Sequence, residues 1–321
     1  MPGLAIAQIS ESRDWPTILT PAFDGKEFWV QYGSDGNGSW KNPLGNLMDV
    51  IGSVTSFVAG STTTKLRAGT QNVIHVLPRV HSATPDYEWQ GIDEVVVIPR
   101  YASGLMIIGQ GPRGSVGIDP STEDAIGIDN RADDVELRNI GIAAEDDTAG
   151  NYAFRNYGTR VRAYGCKIEG GDFQLGLGPG TDAQITAGSH GKGADCLFYD
   201  CEFCWGTNGV RLVASDYGAV TQAMFRRCKF HNLTASAFEE TGGSVDIRFR
   251  NLEIVECTFD DPEGGVAPTK YISLNDDNAN DGIVSDCRFP TAINSGLNLV
   301  STALHWVSNK HTGGISTGQP S

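Results

Sequence analysis

Hydrolytic chemistry in this sequence would have to begin with a pair of aspartates and a histidine. Asp276 and Asp277 are adjacent in Leu274-Asn-Asp-Asp-Asn278, and His190 stands in Gly188-Ser-His190-Gly191. Cleavage of a glycosidic bond by hydrolysis needs two carboxylates facing one groove, about 5 to 9 Å apart. Cleavage by elimination needs clustered Asp ligands for calcium and a basic residue on the same face. Cys201-Glu-Phe-Cys204 adds a CxxC spacing, the form of a zinc half-site or redox pair. It lacks a second pair and a nearby His pair, so a structural reading is preferred.

Any such group must be positioned by the elements around it, and those are set by one repeated pattern. Eight residues recur six times, beginning at Val135, Val161, Cys196, Ala223, Leu252 and Gly282. In each copy the first, third, sixth and eighth residues are apolar, Gly282 excepted, and the others are mostly charged or small. Period two means β-strand, and the two consecutive outward residues mean a corner between short strands. The sixth positions, Ile140, Cys166, Cys201, Cys228, Cys257 and Cys287, are 26, 35, 27, 29 and 30 residues apart. Such spacing marks a solenoid whose rungs stack at about 4.8 Å, so that like residues form ladders. The cysteines form one ladder and Ile142, Ile168, Phe203, Phe230, Phe259 and Phe289 another. A second strand in each rung is expected at 152–155, 173–177, 209–213, 237–240, 271–274 and 296–300.

Composition limits the function classes. The net charge of −15 opposes binding to nucleic acid or to an anionic membrane by bulk attraction. The densest basic cluster, Arg226-Arg227-Cys-Lys229, is interrupted by a core position and reads as a solvated sheet face. No apolar run reaches the length of a membrane span, and the N-terminus lacks the form of a signal peptide. Five of the seven cysteines fall on the inward ladder, where a small thiol packs as an apolar side chain, and a reducing cytoplasm is expected for assembly.

Before the repeats come an arm at 1–25, a strand at 26–32, a turn-rich loop at 33–39 and a helix over about 43–58. Asn42 is its expected N-cap, Pro43 its first residue, and Leu44, Leu47, Met48, Ile51, Val54 and Val58 its apolar face. Strands follow at 72–78, 94–99 and 105–111. The rungs are expected to stop after Leu299, leaving a Gly/Ser/Thr tail over 301–321.

Gly25-Lys26-Glu27-Phe28-Trp29-Val30, the Gly-Ser-Asp-Gly-Asn loop, the Pro-led helix and Ile107-Ile-Gly-Gln-Gly111 together resemble the opening of pectin-lyase-like right-handed β-helix proteins. The form is similar to that of tailed-phage virion structural proteins, though Gly33 to Asn42 is shorter and Ser61 to Thr70 longer. The resemblance implies a single-stranded right-handed parallel β-helix (solenoid), all-β, with an N-terminal capping helix and extended terminal arms. Its bounds are an arm over 1–25, the β-helix over 26–300 and a tail over 301–321. The family includes polysaccharide lyases and hydrolases. In polygalacturonases the paired aspartates precede the histidine, whereas Asp276 and Asp277 follow His190 by about three rungs. The insertion at 179–193 reads as a contact loop.

No catalytic, cofactor-binding or metal residue is therefore assigned, and no cofactor is expected. The expected protein is a non-enzymatic virion component assembled in the host cytoplasm. It would be a capsid decoration or cement protein, a homotrimer whose two arms pack on the major capsid protein and on other subunits. The competing reading is a tail spike or fibre component that binds or degrades host-surface polysaccharide. Neither nucleic acid nor membrane is an expected partner.

Overall fold

The computed structural model describes residues 25–52, 66, 71–78, 95–111, 113, 115–120, 126–144, 151–178, 193–214, 220–242, 249–260, 271–274, 281–290, 304–311 and 314–316. The alternating pattern becomes three faces of a right-handed parallel β-helix. The first face is a ten-stranded parallel sheet that the chain visits strictly in order. It runs through Glu27–Val30, Val73–Val76, Met106–Gly109, Glu136–Arg138, Arg162–Tyr164, Leu197–Tyr199, Met224–Arg226, Leu252–Val255, Gly282–Ser285 and Leu304–Val307. The second face stacks Gly117–Ile118, Gly141–Ala144, Lys167–Gly170, the starts of Glu202–Ala214 and Lys229–Gly242, and Thr258–Phe259. The third stacks Val96–Ile98, Ile128–Asn130, Tyr152–Asn156, Phe173–Leu177, the ends of the two long strands, and Ile272–Ser273.

The corner between the first two faces explains the break in the pattern. Its second outward residue has φ of 49° at Asn139, 60° at Gly165, 54° at Asp200, 56° at Arg227, 55° at Glu256 and 54° at Asp286. Left-handed backbone costs a non-glycine residue about 1 kcal/mol. A ladder of hydrogen bonds offsets it. Gly165 N–H donates to Tyr199 O at 3.0 Å, Asp200 to Arg226 O at 2.9 Å, Arg227 to Val255 O at 3.0 Å and Glu256 to Ser285 O at 2.9 Å.

The ladders expected inside the tube are present. Phe203, Phe230, Phe259 and Phe289 stack with centroids 4.8, 5.1 and 4.5 Å apart and planes within 10° of parallel. Phe198 and Phe225 form a second stack at 5.0 Å. All seven cysteines are buried and free. Each ladder thiol donates to a carbonyl of the preceding rung, as Cys228 Sγ does to Phe198 O at 3.3 Å and Cys257 Sγ to Phe225 O at 3.4 Å. Burial raises the Cys166 and Cys228 thiols well above their ordinary value and pushes Cys196 up to about 12, which keeps them protonated and able to donate.

A polar ladder also lies inside. Asn130 and Asn156 are fully buried, and Asn130 Nδ2 donates to Asn156 Oδ1 at 2.7 Å. Each closes a turn two residues on: Ala132 N–H donates to Asn130 Oδ1 and Gly158 N–H to Asn156 Oδ1, both at 3.1 Å.

Both ends depart from expectation. Among the described residues the helix is one turn, Met48–Ile51, with Leu47 as N-cap and Gly52 at φ 92° beyond it; residues 53–58 of the expected helix, with Val54 and Val58, lie outside the described residues. Leu44 instead pairs with the first strand, its N–H donating to Trp29 O at 2.9 Å and its carbonyl accepting from Gln31 N–H at 2.7 Å, while Ser39 and Asn42 pair with each other. Hydrogen bonding to an exposed strand edge overrides the helical period of Pro43 and Leu44. Buried Leu47, Val50 and Ile51 still close the bottom of the core.

At the other end the rungs do not stop at Leu299. Leu304–Val307 pairs in parallel with Gly282–Ser285, Ser308 repeats the corner at φ 54°, and Trp306 stacks on Phe289 at 5.4 Å. Asn309, fully buried, stands where the five preceding repeats have cysteine. Its Nδ2 donates to Val284 O and its Oδ1 accepts from Cys287 N–H, both at 2.9 Å. Asn309–His311 then pairs antiparallel with Gly314–Ser316. The expectation of a C-terminal arm packing on other subunits is thus corrected for these residues, which extend the chain's own tube. The arm at 1–24 and the strand expected at 296–300 lie outside the described residues.

Candidate functional site

The residue types that opened the sequence reading divide sharply. His190, Asp276, Asp277 and the insertion at 179–192 lie outside the described residues. Of the CxxC pair, Cys201 points into the core ladder, whereas Cys204 lies on the outward side of the second face, since inward Phe203 separates it from Glu202.

The rung register makes two outward columns there. Lys167, Glu202, Lys229, Thr258, Arg288 and Lys310 stack in one. Glu169, Cys204 and His231 stack in the next. His231 Nε2 lies 2.7 Å from Glu202 Oε1, and Asn232 Nδ2 lies 3.0 Å from His231 Nδ1. Cys204 Sγ, with no solvent exposure, reaches Glu169 Oε2 at 3.7 Å, and Lys167 Nζ lies 2.5 Å from the same oxygen. Donor atoms of Glu202, Cys204 and His231 all lie within 4.8 Å of one another. The His231 hydrogen bond lowers the Glu202 carboxyl, and burial raises the Cys204 thiol strongly. The sequence reading missed this group because it sought histidines near Cys201 and Cys204 along the chain. The signal was in the repeat: Glu169, Cys204, His231 and Asp260 each lie three residues after a ladder cysteine.

The third face carries an aromatic and arginine patch. Asp129 accepts from Arg131 Nη2 at 2.7 Å and from Arg155 Nη2 at 3.1 Å. One rung on, the column reaches Gly176, where an added Cβ would meet the Tyr152 ring at 2.6 Å; the ring lies across the gap left by the glycine. Arg211 sits 4.2 Å from the Phe173 centroid, and its Nη1 donates to Tyr152 Oη at 3.1 Å. Glu239 pairs in register with Arg211, and burial raises its carboxyl.

On the first face, Arg113 pairs with Asp200 and Arg138 with Glu136. Arg227 donates to Tyr199 Oη and Glu256 Oε2, both at 2.7 Å, and Arg226 to Glu256 Oε1 at 3.3 Å. The dense basic cluster is therefore divided, with Arg226 and Arg227 braced on the first face and Lys229 on the second, 3.5 Å from Asp260. No helix among the described residues is long and apolar enough to cross a membrane.

No protein-family model matches the chain, and no curated protein matches it. Solved structures do. A pectin methylesterase from Aspergillus niger superposes with a TM-score of 0.54 at 14% identity, over 94% of this chain and 90% of that one. Escherichia coli YbhC gives 0.54 at 15%, over 98% and 82%. The pectate lyase Pel9A gives 0.58 at 9%, over 89% and 69%. At these identities the likeness establishes the pectin-lyase-like parallel β-helix and nothing of activity.

Proposed function

We propose that this chain is a non-enzymatic structural protein of a tailed-phage virion, a decoration or cement protein that lies on the major capsid protein as a homotrimer. The observation that supports this reading is how the outward charge is placed. Asp129, Asp134, Glu136, Asp200 and Glu256 each sit against an arginine. Most of these pairs join different rungs, as Arg160 joins Asp134 and Arg155 joins Asp129. Carboxylates held this way brace a rod. With residues 304–311 part of the tube, attachment to the particle is assigned to the arm at 1–24 and to the lateral faces.

The half-buried Tyr152 ring, which packs on buried Phe173 and whose hydroxyl accepts from Arg211, favours a second reading, a spike or fibre component that holds polysaccharide against that ring. Copy number in purified virions separates the two: hundreds of copies fit a capsid protein, a handful a tail protein. Release of reducing sugar or unsaturated uronate from host-surface polysaccharide, lost in Asp276→Asn or Asp277→Asn, would overturn the non-enzymatic reading.

A further inference from the structure

We propose that Glu202, Cys204 and His231 bind one zinc ion on the outside of the second face, with Glu169 as the fourth ligand. The set joins a thiolate donor, an imidazole and carboxylates, which suits zinc and is unlike the all-oxygen shell of calcium or magnesium. Its three closest donors already lie within 4.8 Å of one another, and Glu169 Oε2 lies 3.7 Å from Sγ.

Three features separate this cluster from a chance meeting of surface side chains. First, Cys204 stands in an outward column yet has no exposed area, so its side chain is packed against the polar groups around it and contributes nothing to the core ladder. The other six cysteines stand at inward positions of the repeat. Second, the backbone under each ligand is fixed at the corner leading to the third face. Trp205 follows Cys204 at φ 58°, Asn232 follows His231 at φ 55°, and Gly170 follows Glu169 at φ 73°. Third, the Asn232 side-chain amide lies 3.0 Å from His231 Nδ1; zinc on Nε2 requires that amide turned so that its oxygen accepts from Nδ1–H, which makes it the outer partner of the metal-bound ring.

Binding replaces the thiol proton of Cys204 by zinc and releases that proton to solvent. Two carboxylates and one thiolate then face a divalent ion and the Lys167 ammonium, a set with no net charge. The ligands come from three successive rungs, Lys167–Gly170, Glu202–Ala214 and Lys229–Gly242. The ion would rivet those rungs together from outside, where the ladders inside cannot reach.

The full chain, stripped with a chelator under reducing conditions and kept folded by circular dichroism, is titrated with cobalt and then zinc. One equivalent of cobalt should produce a thiolate-to-cobalt charge-transfer absorption, and zinc should displace it. His231→Ala and Glu202→Gln, both outward substitutions, should weaken binding strongly, and Asn232→Ala roughly tenfold. Zinc should raise the thermal midpoint of the native chain and leave that of Cys204→Ser unchanged. If Cys204→Ser does not fold, the native chain and the two outward variants decide the matter alone. No charge-transfer absorption in the folded native chain overturns the proposal. So does absorption that survives in Cys204→Ser, or that is unchanged in both His231→Ala and Glu202→Gln. The contact between Glu202 and His231 is then only a cross-rung hydrogen bond.

Discussion

Replacing Phe230 by alanine tests whether the stacked rings hold the rungs together. Phe230 is 1% exposed, and its ring lies between those of Phe203 at 4.8 Å and Phe259 at 5.1 Å, with Phe238 at 4.9 Å on its flank. Truncating a buried phenylalanine costs about 3 to 5 kcal/mol in lost transfer energy and residual cavity. Two near-parallel neighbours contribute about 0.5 to 1.5 kcal/mol each beyond burial, so the upper end, about 5 kcal/mol, is expected. Phe230→Leu keeps most of the volume and loses the stacking, and should cost about 1 to 2 kcal/mol. Thr258→Ala, on the outward column of the next rung where Thr258 pairs with Lys229, should stay within about 0.5 kcal/mol. Urea unfolding followed by far-ultraviolet circular dichroism measures all three, with the slope of the transition checked for constancy. A loss below about 1 kcal/mol in Phe230→Ala would refute the reasoning, because a cavity between two stacked rings cannot be that cheap. A leucine variant as damaged as the alanine variant would show that ring geometry, and not volume, sets the cost.

Three further outcomes follow from the same structure. All seven thiols are buried and free, so a thiol reagent should label the folded chain slowly and reach seven per chain only in denaturant; rapid labelling of several in the native state would contradict the ladder. Asn309→Ala removes one acceptor and one donor from fully buried partners at the last rung, a loss of about 2 kcal/mol or more. Trypsin should then cut at Arg288 and Lys310 while the earlier rungs stay resistant; unchanged cleavage would sink the idea. Hydrogen bonds from Arg227 and then Arg226 hold the Glu256 carboxyl below its ordinary 4.5, so this pairing stabilises above that pH and is lost as pH falls through the depressed value. The difference in thermal midpoint between the native chain and Glu256→Gln should therefore be present at neutral pH and shrink in acid, and a difference that grew in acid would contradict the assignment.

The rungs were legible because their signal is local and repeated. Alternation fixes which side chains face inward, and two successive outward residues mark the left-handed corner whatever their type, as Asn139, Arg227 and Glu256 show. The last rung was hidden because Asn309 replaces the ladder cysteine and follows Cys287 by 22 residues, a shorter step than any other. The start of the helix at Pro43 was misplaced because the spacing of Leu44, Leu47, Met48 and Ile51 carries no information about the strand edge that claims Leu44. The stacking of Asn130 on Asn156 was not legible, since nothing along the chain says that two turns 26 residues apart are stacked and shut from water. The cluster around Cys204 was invisible for the same reason: its members are neighbours across rungs, and only alignment on the repeat brings them together.

The antiparallel strand Gly314–Ser316 has a consequence for how copies of this chain can meet. A tube of parallel strands has a polarity, and its last rung is a template on which the first rung of another copy could lie head-to-tail, adding length without limit. Gly314–Ser316 runs against that polarity beside Asn309–His311, at the place where the next rung of the second face would dock. An arriving strand would find its hydrogen-bonding partner reversed. On the second face, growth along the axis by addition of a parallel strand is thereby discouraged.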